Sequence, residues 1–165
     1  MEVLVNNKIV IVDGEYIPSL NNGRGWGVRK DNAVVVWFGK GKSKLLHRVI
    51  MDAPKGMTVD HINGDRLDNR RENLRLCTHA QNACNKKPEK IGNKRKETHP
   101  YKGIIKHTNN YLKKKWFAQI GHLGNTYHSK RFLTEEEAAR AYDELAKKHH
   151  GEFARLNFPN KKVDL

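Results

Sequence analysis

"VDHINGDRLDNRRENLRLCTHAQN", residues Val59–Asn82, is the stretch that decides the fold. "VDH" ends a short strand, "INGDRLDNRREN" is rich in turn-forming residues, and "LRLC" returns as a second strand. A helix then begins after Thr78, because Thr78 and Gln81 have the spacing of a capping box. The stretch therefore predicts a strand, a loop, a strand and a helix in close succession.

The polar side chains of this stretch have the chemistry of a hydrolytic site. Asp60 and Asn82 offer the hard oxygen ligands that suit Mg²⁺, an ion that takes few protein ligands and keeps several waters. A neutral His61 can take a proton from an attacking water, and a hydrogen bond with Asn73 can fix its tautomer. Since a metal ion also stabilises a leaving oxygen, these groups together predict hydrolysis of a phosphodiester.

The stretch is open to two other interpretations. An Asp- and Asn-rich segment is often an ordinary turn. A structural zinc site built from Cys77, His79 and Cys84 lacks a clear fourth ligand, so zinc is not expected. Adjacent strand residues also point to opposite faces, so Asp60 and His61 can share a site only if the strand ends there, which Gly64 permits.

Charge and composition restrict the partner. The chain has 165 residues and a formal net charge of +14, which favours nucleic acid because neutralised phosphates release counterions. An acidic membrane surface is the alternative, but no long apolar run or signal peptide is evident. RNA binding is a weaker interpretation, because aromatic residues make up 8% of the chain and no RNA-binding motif is present. The two cysteines suit a reducing cytoplasm.

The remaining segments predict an α+β fold. The β-branched runs Asn7–Gly14 and Asn32–Gly39 are typical of strands, and Lys40–Met51 predicts a turn and strand leading into a short helix. Three further strands are predicted in "YKGIIKH", "KKWFAQIGH" and "NTYHSKRF". A capping box of Thr134 and Glu137 starts a helix that ends at Gly151. Its strand-facing residues are predicted to be Ala138, Ala141, Tyr142, Leu145 and His149.

"LHR" at Leu46–Arg48, followed by "DHINGD", "DNRRENLR" and "THAQN", resembles the HNH endonucleases of the phage and intron homing type. This resemblance covers roughly Lys40 to Asn85. It implies a ββα-metal core in which a divalent ion, Mg²⁺ or alternatively Mn²⁺, is bound. It also implies a phage-encoded protein in the cytoplasm of a bacterial host. By this resemblance, Asp60 and Asn82 are expected to be the metal ligands and His61 the general base. Asn73 is expected to orient His61, and His79 is expected to contact the scissile phosphate.

The segment from Tyr101 to Pro159 resembles the DNA-binding domain of plant ethylene-response factors of the Apetala type, most closely in "EEAARAYDELAKKHHGEFARLNFP". That resemblance implies a three-stranded antiparallel sheet that binds the major groove, supported by one helix. Trp116 is open to two interpretations, a DNA contact or a core aromatic. Departures at Ile105 and at Ser129–Phe132 leave the target sequence undetermined. The implied DNA-binding residues are Lys102, Lys106, His107, Lys115, Trp116, Tyr127, His128 and Lys130.

The two resemblances together predict the organisation of the chain. Residues 1–85 form an HNH endonuclease domain with preceding strands, 86–100 a basic linker, and 101–159 the DNA-binding domain. The expected activity is metal-dependent cleavage of double-stranded DNA by a monomer or weak dimer, without a membrane partner. A DNA-binding protein or transcriptional regulator that has lost cleavage remains the alternative.

Overall fold

The computed structural model describes residues 1–16, 25–86, 100–109 and 111–159. The chain divides into two compact units, Met1–Ala83 and Cys84–Leu165, termed unit 1 and unit 2 below. Apart from its two ends, the predicted linker lies outside the described residues, so its role stays a prediction.

Unit 1 is built from short antiparallel strands and short helices. Its strands are β1 (Glu2–Val5), β2 (Lys8–Ile11), β3 (Trp26–Val28), β4 (Val34–Trp37), β5 (Ser43–Leu45), β6 (Thr58–His61) and β7 (Leu74–Cys77). Its helices are α1 (Leu46–Ile50) and α2 (His79–Cys84), which runs to the boundary with unit 2. β1 pairs with β2 to form a two-stranded sheet. A three-stranded sheet contains β3, β4 and β5 in that order, and β6 pairs with β7.

The strands predicted from β-branched runs are confirmed in β2 and β4, and the predicted strand and helix after Lys40 are confirmed in β5 and α1. Val34, Val35 and Val36 are all buried, so β4 does not alternate between buried and exposed residues. A central strand covered on both faces has this continuous apolar pattern.

One apolar core holds unit 1 together and anchors the β6–β7 hairpin. Val10, Val36 and Leu46 are almost wholly buried, and Val59 of β6 and Leu74 of β7 pack in the same cluster. The hairpin therefore carries its polar residues on a base that is fixed by hydrophobic packing.

Unit 2 contains β8 (Ile104–Lys106), β9 (Trp116–His122), β10 (Asn125–His128) and the helix α3 (Glu135–His150). The strands form an antiparallel sheet in the order β10-β9-β8, which confirms the three predicted strands. The mixture of helices and small antiparallel sheets confirms the α+β class. No helix among the described residues is long and apolar enough to cross a membrane.

The ends of α3 agree with the prediction, whereas its buried face is only partly as predicted. Thr134 and Glu137 form the capping box, and Gly151 follows the helix with φ 55°. Ala138 and Tyr142 are buried as expected, but so are Ala139, Asp143 and Ala146. The reason is that the chain after α3 folds back, and the Asp143 carboxylate accepts the backbone N–H groups of Asn157 and Phe158 at 2.7 and 2.9 Å.

Gly103 makes close packing of the sheet on α3 possible. Its φ of 70° is in the left-handed region, and a Cβ there would lie 2.1 Å from two ring carbons of Tyr142. A side chain at this position would therefore collide with a buried aromatic ring.

Candidate active site

β6 ends at His61. Gly64, with φ 74°, donates its N–H to the His61 carbonyl at 2.8 Å and turns the chain out of the strand. Asp60 and His61 are both buried, with 6% and 7% of their surfaces exposed. In the ladder Asp60 lies opposite Arg75, and His61 lies opposite Leu74.

The loop between β6 and β7 is held by its own polar side chains. Asp68 accepts two hydrogen bonds from Arg70, at 2.9 Å from Nε and 2.8 Å from Nη2, and a third from Asn63 Nδ2 at 2.9 Å. The hydrogen bonds from the Arg70 side chain lower the pKa of the Asp68 carboxyl, with smaller contributions from the Arg70 backbone N–H and from Asn63. Burial raises this pKa but does not cancel their effect. Charge-assisted hydrogen bonds thus help to order the loop, beside the packing of Leu67 against the core.

The N-terminal hairpin supports this loop from outside. The Ile11 N–H donates to the Leu67 carbonyl at 2.9 Å, and the Asn69 N–H donates to the Ile11 carbonyl at 2.7 Å. Asp13 Oδ2 accepts the backbone N–H of Arg71 at 2.8 Å. The first strands therefore have a clear structural part in the candidate site.

The ring of His61 contacts two side chains that the sequence did not single out for it. Its Nε2 lies 3.4 Å from Asn69 Oδ1, and its ring packs edge-to-face against His47 at 5.0 Å between centroids. Burial lowers the pKa of His61, and the hydrogen bond to Asn69 and the charge of Asp60 only partly offset that effect. Burial thus favours the neutral form of the His61 ring.

Asn73 was predicted to orient His61, and the structure places it in the same loop with other partners. Its Nδ2 donates to Asn63 Oδ1 at 3.1 Å and to the Asp68 carbonyl at 2.8 Å, and its Oδ1 accepts the Asn63 N–H at 3.1 Å. In the same loop, Asn69 Oδ1 lies 3.4 Å from His61 Nε2. Orientation of His61 by Asn73 therefore stays a prediction.

His47 and Arg48 belong to α1. Burial, with smaller contributions from His61 and nearby arginines, lowers the pKa of His47 to about 4. Arg48 donates to the carbonyls of Met57 at 2.7 Å and of Ala53 and Pro54 at 3.1 Å. Arg48 therefore stabilises the turn before β6.

Asp60 forms a cross-strand ion pair with Arg75. Arg75 donates to Asp60 Oδ2 from Nη2 at 2.7 Å and from Nε at 3.0 Å. The two side chains are 13% and 8% exposed, so the pair is largely shielded from water. Asp60 is opposite Arg75 because "TVDH" and "LRLC" pair antiparallel in this register.

α2 carries the other two predicted residues. The capping box is confirmed, since Gln81 Oε1 accepts the Thr78 N–H at 2.8 Å and Thr78 Oγ1 accepts the Gln81 N–H at 3.2 Å. His79 is exposed, with its Nδ1 3.2 Å from Thr58 Oγ1 at the start of β6. Asn82 is half-buried, and its backbone N–H donates to the Thr78 carbonyl.

The described residues hold no group of three or more His, Cys, Asp or Glu side chains arranged to bind a metal ion. The predicted ligand pair consists of one carboxylate, Asp60, and one amide, Asn82, so it is not a group of that kind. Its oxygen donors fit the chemistry of a hard divalent ion that keeps most of its waters. This pair stays a prediction.

In unit 2 the sheet does not present the predicted set of residues on its outer face. Trp116 is 9% exposed and packs against Ala138 and Ala139 of α3, so it is a core aromatic rather than a DNA contact. Tyr127 also faces the helix, with its ring stacked on His149 at 4.0 Å. The side chain of Lys102 donates to the carbonyls of Cys84 and Lys86.

Strand parity explains these corrections. Trp116, Ala118 and Ile120 point to α3, so their neighbours in β9 point away from it. Ile105 is paired with Phe117, and His128 with Gln119. The outer face, as defined by this register, consists of Ile105, Phe117, Gln119, Gly121, Thr126 and His128. Among the predicted DNA-binding residues, Lys106, His128 and Lys130 are exposed, and Lys102, His107, Lys115 and Tyr127 are half-buried.

Two comparisons with known proteins point to HNH endonucleases. A family described as HNH endonuclease matches residues 44–84, which span β5 to α2. The chain is 38% identical over 116 residues to an uncharacterized HNH endonuclease of Acanthamoeba polyphaga mimivirus, covering 69% of this chain and 55% of that protein. The chain thus spans about half the length of this relative. No solved structure matches the present chain. The candidate site therefore lies within the part of the chain that is similar to HNH endonucleases.

Proposed function

We propose that the chain is a metal-dependent endonuclease that hydrolyses phosphodiester bonds in double-stranded DNA. The observation that carries this proposal is His61, a buried imidazole next to Asp60 at the end of β6, within the segment similar to HNH endonucleases. A net charge of +14 supports a polyanionic substrate.

His61 acts as the general base. It takes a proton from the attacking water, and its neutral state is supported by the lowered pKa that burial causes. Asn73 keeps the 62–69 loop in place, and Asn69 holds the ring. His79, on the first turn of α2, contacts the scissile phosphate.

Asp60 and Asn82 are the residues that would hold the divalent ion. Their oxygens suit Mg²⁺, and Mn²⁺ can replace it. The bound ion supplies Lewis-acid stabilisation of the charge that develops on the phosphate and the leaving oxygen. Arg75 keeps the Asp60 carboxylate in one orientation through two donors to the same oxygen.

Unit 2 binds the DNA, in the manner of the ethylene-response-factor domain that its sequence resembles. The outer face offers Gln119 and Thr126 for base edges and Phe117 and Ile105 for thymine methyl groups. Lys106 and Lys130 are exposed beside this face and suit phosphates.

Plasmid cleavage tests the nuclease proposal. With Mg²⁺ or Mn²⁺ the native chain should nick or linearise supercoiled DNA, and His61→Ala should lower the rate by about a hundredfold or more. DNA affinity should stay within a few fold. The matched control is His122→Ala at the end of β9 in unit 2, which should leave cleavage unchanged. A native chain that binds DNA and leaves it intact with either metal would instead support the DNA-binding protein without cleavage.

Variants of β9 test the proposed DNA-binding face. Phe117→Ala should weaken DNA binding by about 1–3 kcal/mol with little change in melting temperature, if the ring contacts base edges. Trp116→Ala should mainly lower the melting temperature, since that ring is in the core. Lys130→Ala should reduce the salt dependence of binding by about one phosphate contact. Equal affinity of the native chain and the Phe117 and Lys130 variants would exclude this face.

A further inference from the structure

The hairpin that joins β4 to β5 is basic and has no acidic neighbour in the sequence. Its lysines, Lys40, Lys42 and Lys44, are all exposed, and residues 32–51 contain no aspartate or glutamate. Among the residues that the structure describes, none of the three lysines forms an ion pair. Lys44 Nζ lies 5.9 Å from the centre of the Phe38 ring, a contact that leaves its charge in place. The hairpin therefore presents concentrated positive charge to the solvent.

The turn of this hairpin holds Lys40 in a backbone conformation that lysine does not favour. The Phe38 N–H donates to the Lys42 carbonyl at 2.8 Å, and the Lys42 N–H donates to the Gly39 carbonyl at 3.0 Å. The two central residues, Lys40 and Gly41, have φ of 50° and 70°. Positive φ at both central positions is typical of a type I′ turn, which prefers Asn or Gly at the first of them. Since Asn would suit the fold better, the lysine points to a use for its charge.

The hairpin leads directly into the candidate active site of unit 1. β5 ends at Leu45 and α1 begins at the next residue, so Lys44 precedes His47 by three residues. Their Cα atoms are thus at most about 11 Å apart. The His47 ring packs against the ring of His61, with 5.0 Å between centroids. A duplex bound at the candidate site would therefore bring backbone phosphates within reach of the hairpin.

We propose that the β4–β5 hairpin of unit 1 binds the phosphate backbone of duplex DNA beside the candidate active site, through Lys40, Lys42 and Lys44. An ammonium group is a compact charge that binds phosphate oxygens and releases counterions. An anionic membrane surface would also attract lysines, but DNA is favoured because the hairpin continues into the candidate site. The inference rests on the proposed function, and it adds a DNA-binding element in unit 1 to the sheet face proposed for unit 2.

The variant Lys40→Asn separates the charge of the hairpin from its folding, because Asn suits the turn and is uncharged. Binding is measured with the full chain and duplex DNA in EDTA at several salt concentrations. We expect the variant to melt at or above the native temperature and to bind about five- to tenfold more weakly at about 0.1 M salt. The slope of log K against log salt should fall by about 0.9. Lys40→Arg keeps the charge and should bind like the native chain.

A control variant and a second hairpin variant make the test specific. Lys30→Asn removes an exposed lysine of unit 1 that lies next to Asp31 in the sequence, and it should bind within about twofold of native. Equal weakening by Lys30→Asn would mean that net charge matters rather than the hairpin, and this overturns the proposal. So does native affinity in Lys40→Asn. If that variant melts at a lower temperature, Lys42→Ala with Lys44→Ala decides, because native affinity there also overturns it.

Cleavage distinguishes a failure of this inference from a failure of the proposed function. The hairpin variants should raise KM and leave kcat within a few fold, because their phosphate contacts are remote from the broken bond. If the native chain and the hairpin variants bind and cut DNA equally well, only this inference fails. A native chain that does not bind duplex DNA overturns both. Hairpin variants that lose binding to phosphatidylserine vesicles and keep native affinity for DNA would identify an anionic membrane as the partner, and the proposal would be wrong.

Discussion

Replacement of Arg75 by Met should lower the stability of unit 1, because it removes the partner of the buried Asp60 carboxylate in their ion pair. The guanidinium lies 2.7 Å from Asp60 Oδ2, and the two side chains are only 13% and 8% exposed. Removal of one member of a buried ion pair costs about 3–5 kcal/mol, because the other charge is left without compensation. We expect about 3 kcal/mol, since Arg75 retains some contact with water. For a unit of this size that corresponds to a fall of roughly 12–24 °C in melting temperature.

A divalent ion should reverse part of this loss if Asp60 is a metal ligand. Any ion that binds only the folded state at a hundred times its Kd stabilises that state by about 2.7 kcal/mol. In the native chain Arg75 repels the cation and engages one carboxylate oxygen. Without Arg75 we expect about tenfold tighter binding, so the stabilisation by metal should be larger by about 1.4 kcal/mol.

The assay is a set of thermal melts in EDTA and in increasing MgCl₂ or MnCl₂, for the native chain and Arg75→Met. Arg66→Met is the matched control, because its ion pair with Asp31 is about half exposed. Removal of that surface pair should cost less than about 1 kcal/mol and leave the metal effect unaltered. If metal stabilises the native and Arg75→Met chains equally, the carboxylate of Asp60 is not part of the metal site.

Three further predictions concern stability. His47 has a folded pKa of about 4, so between pH 6.5 and 4 the unfolded state binds a proton that the folded state does not. The free energy of unfolding of unit 1 should therefore fall by at most about 3 kcal/mol over this range. Denaturant midpoints measured against pH should show a weaker acid dependence for His47→Gln than for the native chain. Gly103→Ala should destabilise unit 2 by roughly 2–4 kcal/mol, because the backbone has a positive φ and the added Cβ collides with Tyr142. A urea midpoint that does not change would refute this packing argument. Thr134→Ala should cost about 1 kcal/mol by removing the N-cap of α3, measured by calorimetry with Thr126→Ala as an exposed control.

Features set by neighbours in sequence could be predicted, and features set by the chain path could not. The β-branched runs of β2 and β4 and the capping boxes at Thr78 and Thr134 depend on local chemistry, and all were found in the structure. The choice between Asn69 and Asn73 as the partner of His61 depends on how the 62–69 loop folds. Both are buried amides in the same segment, and no spacing rule distinguishes them.

The face of a strand or helix is a second property that local patterns leave open. "KKWFAQ" places Trp116 beside Phe117, and either ring could have faced the helix until the strand was seen against α3. On α3 the burial of Asp143 depends on the chain that returns to it after the helix. Neither feature could be decided from the sequence, because tertiary contacts determine which side of an amphipathic element is covered.

The hydrogen bonds around Asp68 also limit how this protein can evolve. Asp68 binds Arg70 and Asn63, and its carbonyl binds Asn73. A single inherited change at any of these positions leaves a buried polar group unsatisfied, at a cost of about 1–3 kcal/mol. Compensation requires a second change in the same few residues, so intermediate genotypes pass through a less stable protein. The loop should therefore diverge slowly and by paired substitutions.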